Sequence, residues 1–174
     1  AETVKYRYDG PNIAAKYGAI ASLIRSVGNG SMDTPHTGTM GEYKSFKKIP
    51  HAAITAEDAM MIDRIYKRGN RVVLNLKMEA KFVEDRWSRN VLAELRGSTH
   101  PEEVVVLGGH IDSWDVGQGA HDDAGGCLAA WRAVTLIKEL GFKPRRTLRV
   151  VLWTNEENGS RGSNNYRNEH FSEL

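Results

Sequence analysis

"VVVLGGHIDSWDVGQGAHDDAGGCLAAWRAVTLIKELG", residues 104–141, is the stretch on which the fold turns. It begins with a β-branched apolar run, and "EVVVLGGHID" (103–112) is continuous enough in apolar residues to predict an interior strand. It closes on "AGGCLAAWRAVTLIKELG" (124–141), where Leu128, Trp131, Ala133, Val134, Ile137 and Leu140 line one broad face and Gly141 supplies a stop. A helix packed on a sheet follows from that pattern. Upstream, "NVLAELRG" (90–97) reads as a further strand, set off by "STHPE". Downstream, "RRTLRVVLWTNEENGS" (145–160) reads as a buried strand ending in acid, and "SRGSNNYRNEHF" (160–171) begins another helix. A strand, crossover helix and strand imply parallel pairing with a right-handed connection. The expected class is α/β, a mixed, mostly parallel sheet flanked by helices. Ligands of such sheets gather at the carboxyl ends of the strands, and both acidic clusters fall there.

The first half has a different texture. "PNIAAKYGAIASLIRSV" (11–27) places Ile13, Ala14, Tyr17, Ile20, Ala21 and Ile24 at helical spacing, with Pro11 suited to a first turn, which predicts a helix over 11–27. "GNGSMDTPHTGTMGEYKSFKKIP" (28–50) is rich in Gly, Ser, Thr and Pro and reads as a long surface loop. "TAEDAMMIDRIYKRG" (55–69) has Thr55 as N-cap, acid in the first turn and Gly69 as a stop, and "NRVVLNLKMEA" (70–80) then reads as a strand. Residues 1–86 are therefore expected to form a small α/β unit and 87–174 a second domain.

Bulk properties narrow the partners. With 24 basic and 22 acidic residues among 174, the net charge is +2 and no dense Lys/Arg run is present, so nucleic acid is not an expected partner. The longest apolar runs, 104–109 and 148–153, are far too short to cross a bilayer, and no membrane span is expected. The opening "AETVKYRYDG" has neither a basic start nor an apolar core, so any signal peptide is expected to lie outside this chain. A single cysteine, Cys127, excludes an internal disulfide framework. Asn29-Gly30-Ser31 and Asn158-Gly159-Ser160 are glycosylation sequons; a glycan is expected on Asn29 if on either, and none on Asn158, which follows the acidic cluster.

The chemistry lies in the loops. His110 and Asp112, two apart at the mouth of one strand, suit a metal-binding imidazole with a carboxylate close enough to orient its other ring nitrogen. Asp122 and Asp123 stand just before a helix, among glycines that let the backbone bend toward the same point. Glu156 and Glu157 end the next strand, where one glutamate can ligate a metal while its neighbour faces the attacking water. A His/Asp/Glu set without thiolates fits catalytic zinc or a similar divalent ion, and several carboxylates with a bridging position fit a pair of ions. Blander readings compete: His110 as a hydrogen-bonded loop histidine, "HDD" as an ordinary helix cap, "EEN" as a solvated turn. Co-location at successive strand ends favours the metal. His36, His51, His100 and His170 read as surface or loop residues, Trp131 and Trp153 as packing residues, Trp114 as part of the site loop, and Asp115 as structural.

"GGHIDSWDVGQGAHDDAGG" (108–126) followed by "RRTLRVVLWTNEENGSRGS" (145–163) resembles the metallopeptidase family of co-catalytic di-zinc aminopeptidases and glutamate carboxypeptidases. "AAKYGAIASLIRSV", "PHTG", "KIPHAAITAEDA" and "LKMEAK" are similar to a protease-associated-like inserted segment of that family. The resemblance implies an exopeptidase cleaving short unblocked peptides, such as dipeptides, with two Zn2+ per active site. It implies that His110 binds one zinc, Asp122 bridges both through a loop with a cis peptide to Asp123, and Glu157 binds the other. Glu156 would be the general base, and Asp112 the partner of His110. His121 departs from the methionine usual in close relatives. The resemblance also implies one further carboxylate and one further histidine from later strands, so the chain is expected to be a fragment that is inactive alone. Secretion or lysosomal residence and a homodimer complete what it implies. A catalytically inactive binding relative and a metallophosphoesterase are the alternatives, the latter disfavoured by the paired glutamates.

Overall fold

The computed structural model describes residues 4–27, 33–36, 38–41, 47–81 and 83–171; the Asn29 sequon lies outside them. The chain separates into two units, Ala1–Glu84 and Asp85–Leu174.

In the first unit, α1 spans Lys5–Lys16 and β1 spans Ser22–Arg25, so the helix predicted over 11–27 is in fact a helix followed by a strand. Gly18 is the reason. It takes φ +82°, its N–H donates to Ala15 O, and that of Ala19 donates to Ala14 O, a turn that closes a helix with a left-handed residue. Pro11 is in the interior of α1, not its first turn. It has no N–H for the carbonyl of Arg7 four residues back, and His51 Nε2 lies 3.2 Å from that oxygen instead. His51 opens β2 (His51–Ile54), a strand absent from the sequence reading, which pairs parallel with β1 in the register Ser22↔His51 to Arg25↔Ile54. His51 is thus a strand residue between helix and sheet, its Nδ1 3.2 Å from Ser22 O. α2 (Ala56–Lys67) follows as expected, with Thr55 Oγ1 accepting from Asp58 N and Gly69 ending it at φ +75°. Residues 70–80 are not a strand: among the described residues nothing pairs with them, and Val73, Leu74, Leu76 and Met78 are exposed. Their apolar pattern favours an extended chain, but a strand needs a neighbour.

The second unit carries β3 (Val91–Leu95), β4 (His100–His110), α3 (Ala124–Glu139), β5 (Arg146–Trp153) and α4 (Arg161–Glu169). The sheet order is β3-β5-β4, with β3 antiparallel and β4 parallel to β5. Among the described residues β5 is therefore the central strand and holds the buried Val150 and Val151, while β4, predicted as an interior strand, pairs there with β5. The face of α3 also differs from expectation. Cys127 and Ala130 are buried and Val134 and Ile137 half-buried, whereas Leu128 (66%), Trp131 (48%) and Leu140 (61%) are exposed. The helix approaches the sheet on its small residues at the start, which turns Leu128 and Trp131 outward. Trp153 does pack, edge-on to the buried Tyr166 of α4 with ring centroids 5.1 Å apart.

Parallel pairing of β4 and β5 sets His110 opposite Trp153. The residues after each strand therefore leave the sheet side by side.

Candidate metal centre

β4 delivers His110 to its last position and the loop 111–123 returns the chain to α3. Two glycines make this approach possible. A Cβ on Gly108 would overlap the Val151 carbonyl of β5, and one on Gly109 would lie 2.5 Å from Asp123 Oδ2 and 2.6 Å from Cys127 N. Helix and strand meet through backbone, as glycine alone permits.

His110 is buried, with 8% of its surface exposed. Its Nδ1 lies 2.8 Å from the main-chain carbonyl of Asp112 and 3.6 Å from the Asp112 carboxylate, so the carbonyl is the nearer partner of that nitrogen. The Asp112 carboxylate has other bonds: Oδ1 accepts from Glu156 N (3.0 Å) and Oδ2 from Glu157 N (3.2 Å). Asp112 thus orients the imidazole with its backbone and the glutamates with its side chain, a division the sequence reading did not contain.

His110 Nε2 lies 2.9 Å from Asp122 Oδ1 and 3.8 Å from Glu156 Oε2. His110, Asp122 and Glu157 each offer a ligand atom, all within 4.8 Å of one another. The peptide between Asp122 and Asp123 is cis. Asp122 is largely exposed and Asp123 is not: Asp123 Oδ1 accepts from Gly126 N (3.1 Å) as the N-cap of α3, and Oδ2 from His110 N (3.0 Å). Capping and facing the histidine are both present in "HDD", divided between neighbours. His121 is exposed and outside the cluster, as is Asp115. Ser160 Oγ lies 3.5 Å from Glu156 Oε1, a contact no sequence signal pointed to.

With Nδ1–H donating to a carbonyl, Nε2 carries a lone pair, and a carboxylate oxygen 2.9 Å away is repelled unless a positive charge lies between them. A proton or a metal ion can supply it. Burial draws the His110 pKa down, but the Asp112 carbonyl, the Asp122 carboxylate and the charges of Glu156 and Asp112 outweigh it and hold the imidazole above its ordinary value. Burial, then the charge of Asp122, pushes the Glu157 carboxyl up. A nitrogen and carboxylate donor set without thiolates suits zinc, whose binding would compete with protons that both groups hold more tightly here than in water.

The second such cluster among the described residues, His100, Glu102 and Glu103, is already served by cations. Arg145 lies 3.1 Å from His100 Nε2, and Arg146 pairs with Glu103.

Residues 90–173 match Peptidase family M28. Carboxypeptidase Q of Bos taurus is 56% identical over 163 residues, 94% of this chain and 34% of that protein. Carboxypeptidase Q of Homo sapiens is 52% identical over 166 residues, 95% of this chain and 35% of that protein. A Peptidase M28 precursor from Shewanella amazonensis SB2B, known as a crystal structure, superposes with a TM-score of 0.92 at 41% identity, over 98% of this chain and 39% of its own. The chain spans roughly a third of the length of these curated relatives.

Proposed function

From the membership of residues 90–173 in peptidase family M28, we propose that the protein is a di-zinc exopeptidase that hydrolyses short unblocked peptides, dipeptides among them. The observation that carries the reading is the convergence of His110 and Glu157, from beside two adjacent strand ends, with Asp122 from the loop before α3, His110 Nε2 being set against Asp122 Oδ1. His110 would hold one zinc, Asp122 both and Glu157 the other. Zinc, when bound, polarises a carbonyl and lowers the pKa of water. The chain's residues do the rest. Glu156, 3.8 Å from His110 Nε2 and not needed as a ligand, takes the proton of the attacking water at its carboxylate and returns it to the leaving amine. Asp112 keeps Glu156 and Glu157 in register through their amides, and its carbonyl keeps Nε2 turned toward the ligands. A further carboxylate and histidine from outside this chain would complete the two coordination spheres. In the same reading, 1–86 is a protease-associated-like insertion, the protein is secreted or lysosomal, and it acts as a homodimer. No helix among the described residues is long and apolar enough to cross a membrane.

The full-length protein is expected to release amino acids from unblocked dipeptides, to lose that activity to a chelator and to regain it with zinc. Undiminished turnover after verified metal removal would sink the reading. Peptide binding without turnover by the zinc-loaded protein would mark an inactive relative, and cleavage of a phosphate ester in its place a phosphoesterase.

A further inference from the structure

We propose that Asp123 is a positioning residue that holds His110 for the metal through the main chain, with Cys127 as its counterpart on the other side of the same residue. The inference rests on the reading of His110 as a zinc ligand. Among the described residues β4 pairs with β5 alone, and Ile111 N donates to the carbonyl of Trp153 on β5. The two main-chain groups of His110 are met by the first turn of α3. Its N–H donates to Asp123 Oδ2 at 3.0 Å, and its carbonyl accepts from Cys127 Sγ at 3.1 Å. Cys127 N in turn donates to Asp123 O at 3.0 Å, closing a loop of bonds between strand and helix.

The other carboxylate oxygen of Asp123 receives Gly126 N, so one side chain anchors α3 and grips the histidine peptide together. The glycines on both sides fit this role. A Cβ at Gly126 would overlap the Asp123 carboxylate, and one at Gly109 would press on its Oδ2 at 2.5 Å. Asp122 is the next residue back along the chain. Fixing Asp123 to His110 N therefore fixes the separation of two ligands that come from opposite ends of a loop. Neighbours that orient a metal ligand are typically worth about 10–100-fold in metal affinity.

Asp123→Asn and Asp123→Ser separate this role from helix capping, because both residues are good N-caps. With its amide oxygen on Gly126 N, asparagine turns an NH2 toward His110 N–H; serine is too short to reach it. Zinc affinity of the full-length protein is measured by competition with a chromophoric chelator, alongside the Co2+ absorption spectrum and the melting transition of the zinc-free protein. Both variants are expected to bind zinc about 10–100-fold more weakly, with altered Co2+ bands and a fall in the zinc-free transition too small to account for that loss. Cys127→Ala, which removes a weaker donor, is expected to lose only a few-fold. Wild-type affinity and spectra in both Asp123 variants, with Asp122→Asn losing zinc, would overturn the inference and leave the site reading intact. A fall in zinc-free stability that accounts for the lost affinity would overturn it too. Retention of zinc by Asp122→Asn as well would show that the site reading itself fails.

Discussion

Glu156 and Glu157 are adjacent in sequence, and one substitution at a time separates their work. Glu156→Gln keeps the length of the side chain and removes its basicity. In the proposed mechanism it lowers kcat by about 10²- to 10⁴-fold, the usual worth of a general base, while zinc content measured by elemental analysis stays at the wild-type level. Asp122→Asn is expected to weaken both metals, since in the proposed site its carboxylate would serve both. Metal loss in the glutamine variant with full retention in the asparagine variant would reverse the two assignments. At this scale the sequence was a good guide to which side chains assemble. His110, Asp122 and Glu157 do meet, because the parallel register of β4 and β5 sets two of them side by side and the start of α3 returns the third to the same strand end. It was a poor guide to which atom bonds which. That the Asp112 carboxylate turns to the amides of residues 156 and 157, and its carbonyl to His110, depends on the path of an irregular loop, and hydropathy patterns carry no information about that path.

Among the elements, β4, α3 and β5 form where their sequences predict, because apolar runs of strand and helix length alternate there and Gly141 stops the helix at φ +72°. The first unit shows where such patterns mislead. Ile13, Ala14, Tyr17, Ile20, Ala21 and Ile24 fit a helical stripe, yet Gly18 carried the stop and β2, the partner of β1, lies far along the chain. Pro11 sits within α1, and the Arg7 carbonyl that it cannot serve faces Nε2 of His51, far along the chain. A double-mutant cycle tests that compensation. His51→Leu is expected to destabilise the wild-type background by about 1 kcal/mol more than a Pro11→Ala background, where the helix supplies its own N–H. Equal costs in denaturant unfolding would mean that the histidine and the proline are energetically independent.

For the whole molecule, the raised pKa values of His110 and Glu157 tie stability to pH with a definite sign. A group whose folded pKa exceeds its unfolded one stabilises fully below the unfolded value and loses that contribution as pH rises through the folded value. The ordinary values are 6.5 for His110 and 4.5 for Glu157, so the metal-free protein loses this contribution as pH climbs from 4.5 to beyond 6.5. In the proposed site zinc would take the place of both protons, and its affinity should rise over the same interval. Melting temperatures measured with and without zinc should therefore diverge as pH increases; parallel curves would show that these protons and the metal do not compete. The brace formed by Asp112 gives the molecule a mechanical property as well. Because one carboxylate accepts from the amides of both glutamates, a shift of that side chain is felt at residues 156 and 157 together. In the proposed mechanism a peptide drawn against Glu156 therefore tugs on Glu157 too, and substrate entry and the grip on the metal are geared together like two teeth on one wheel.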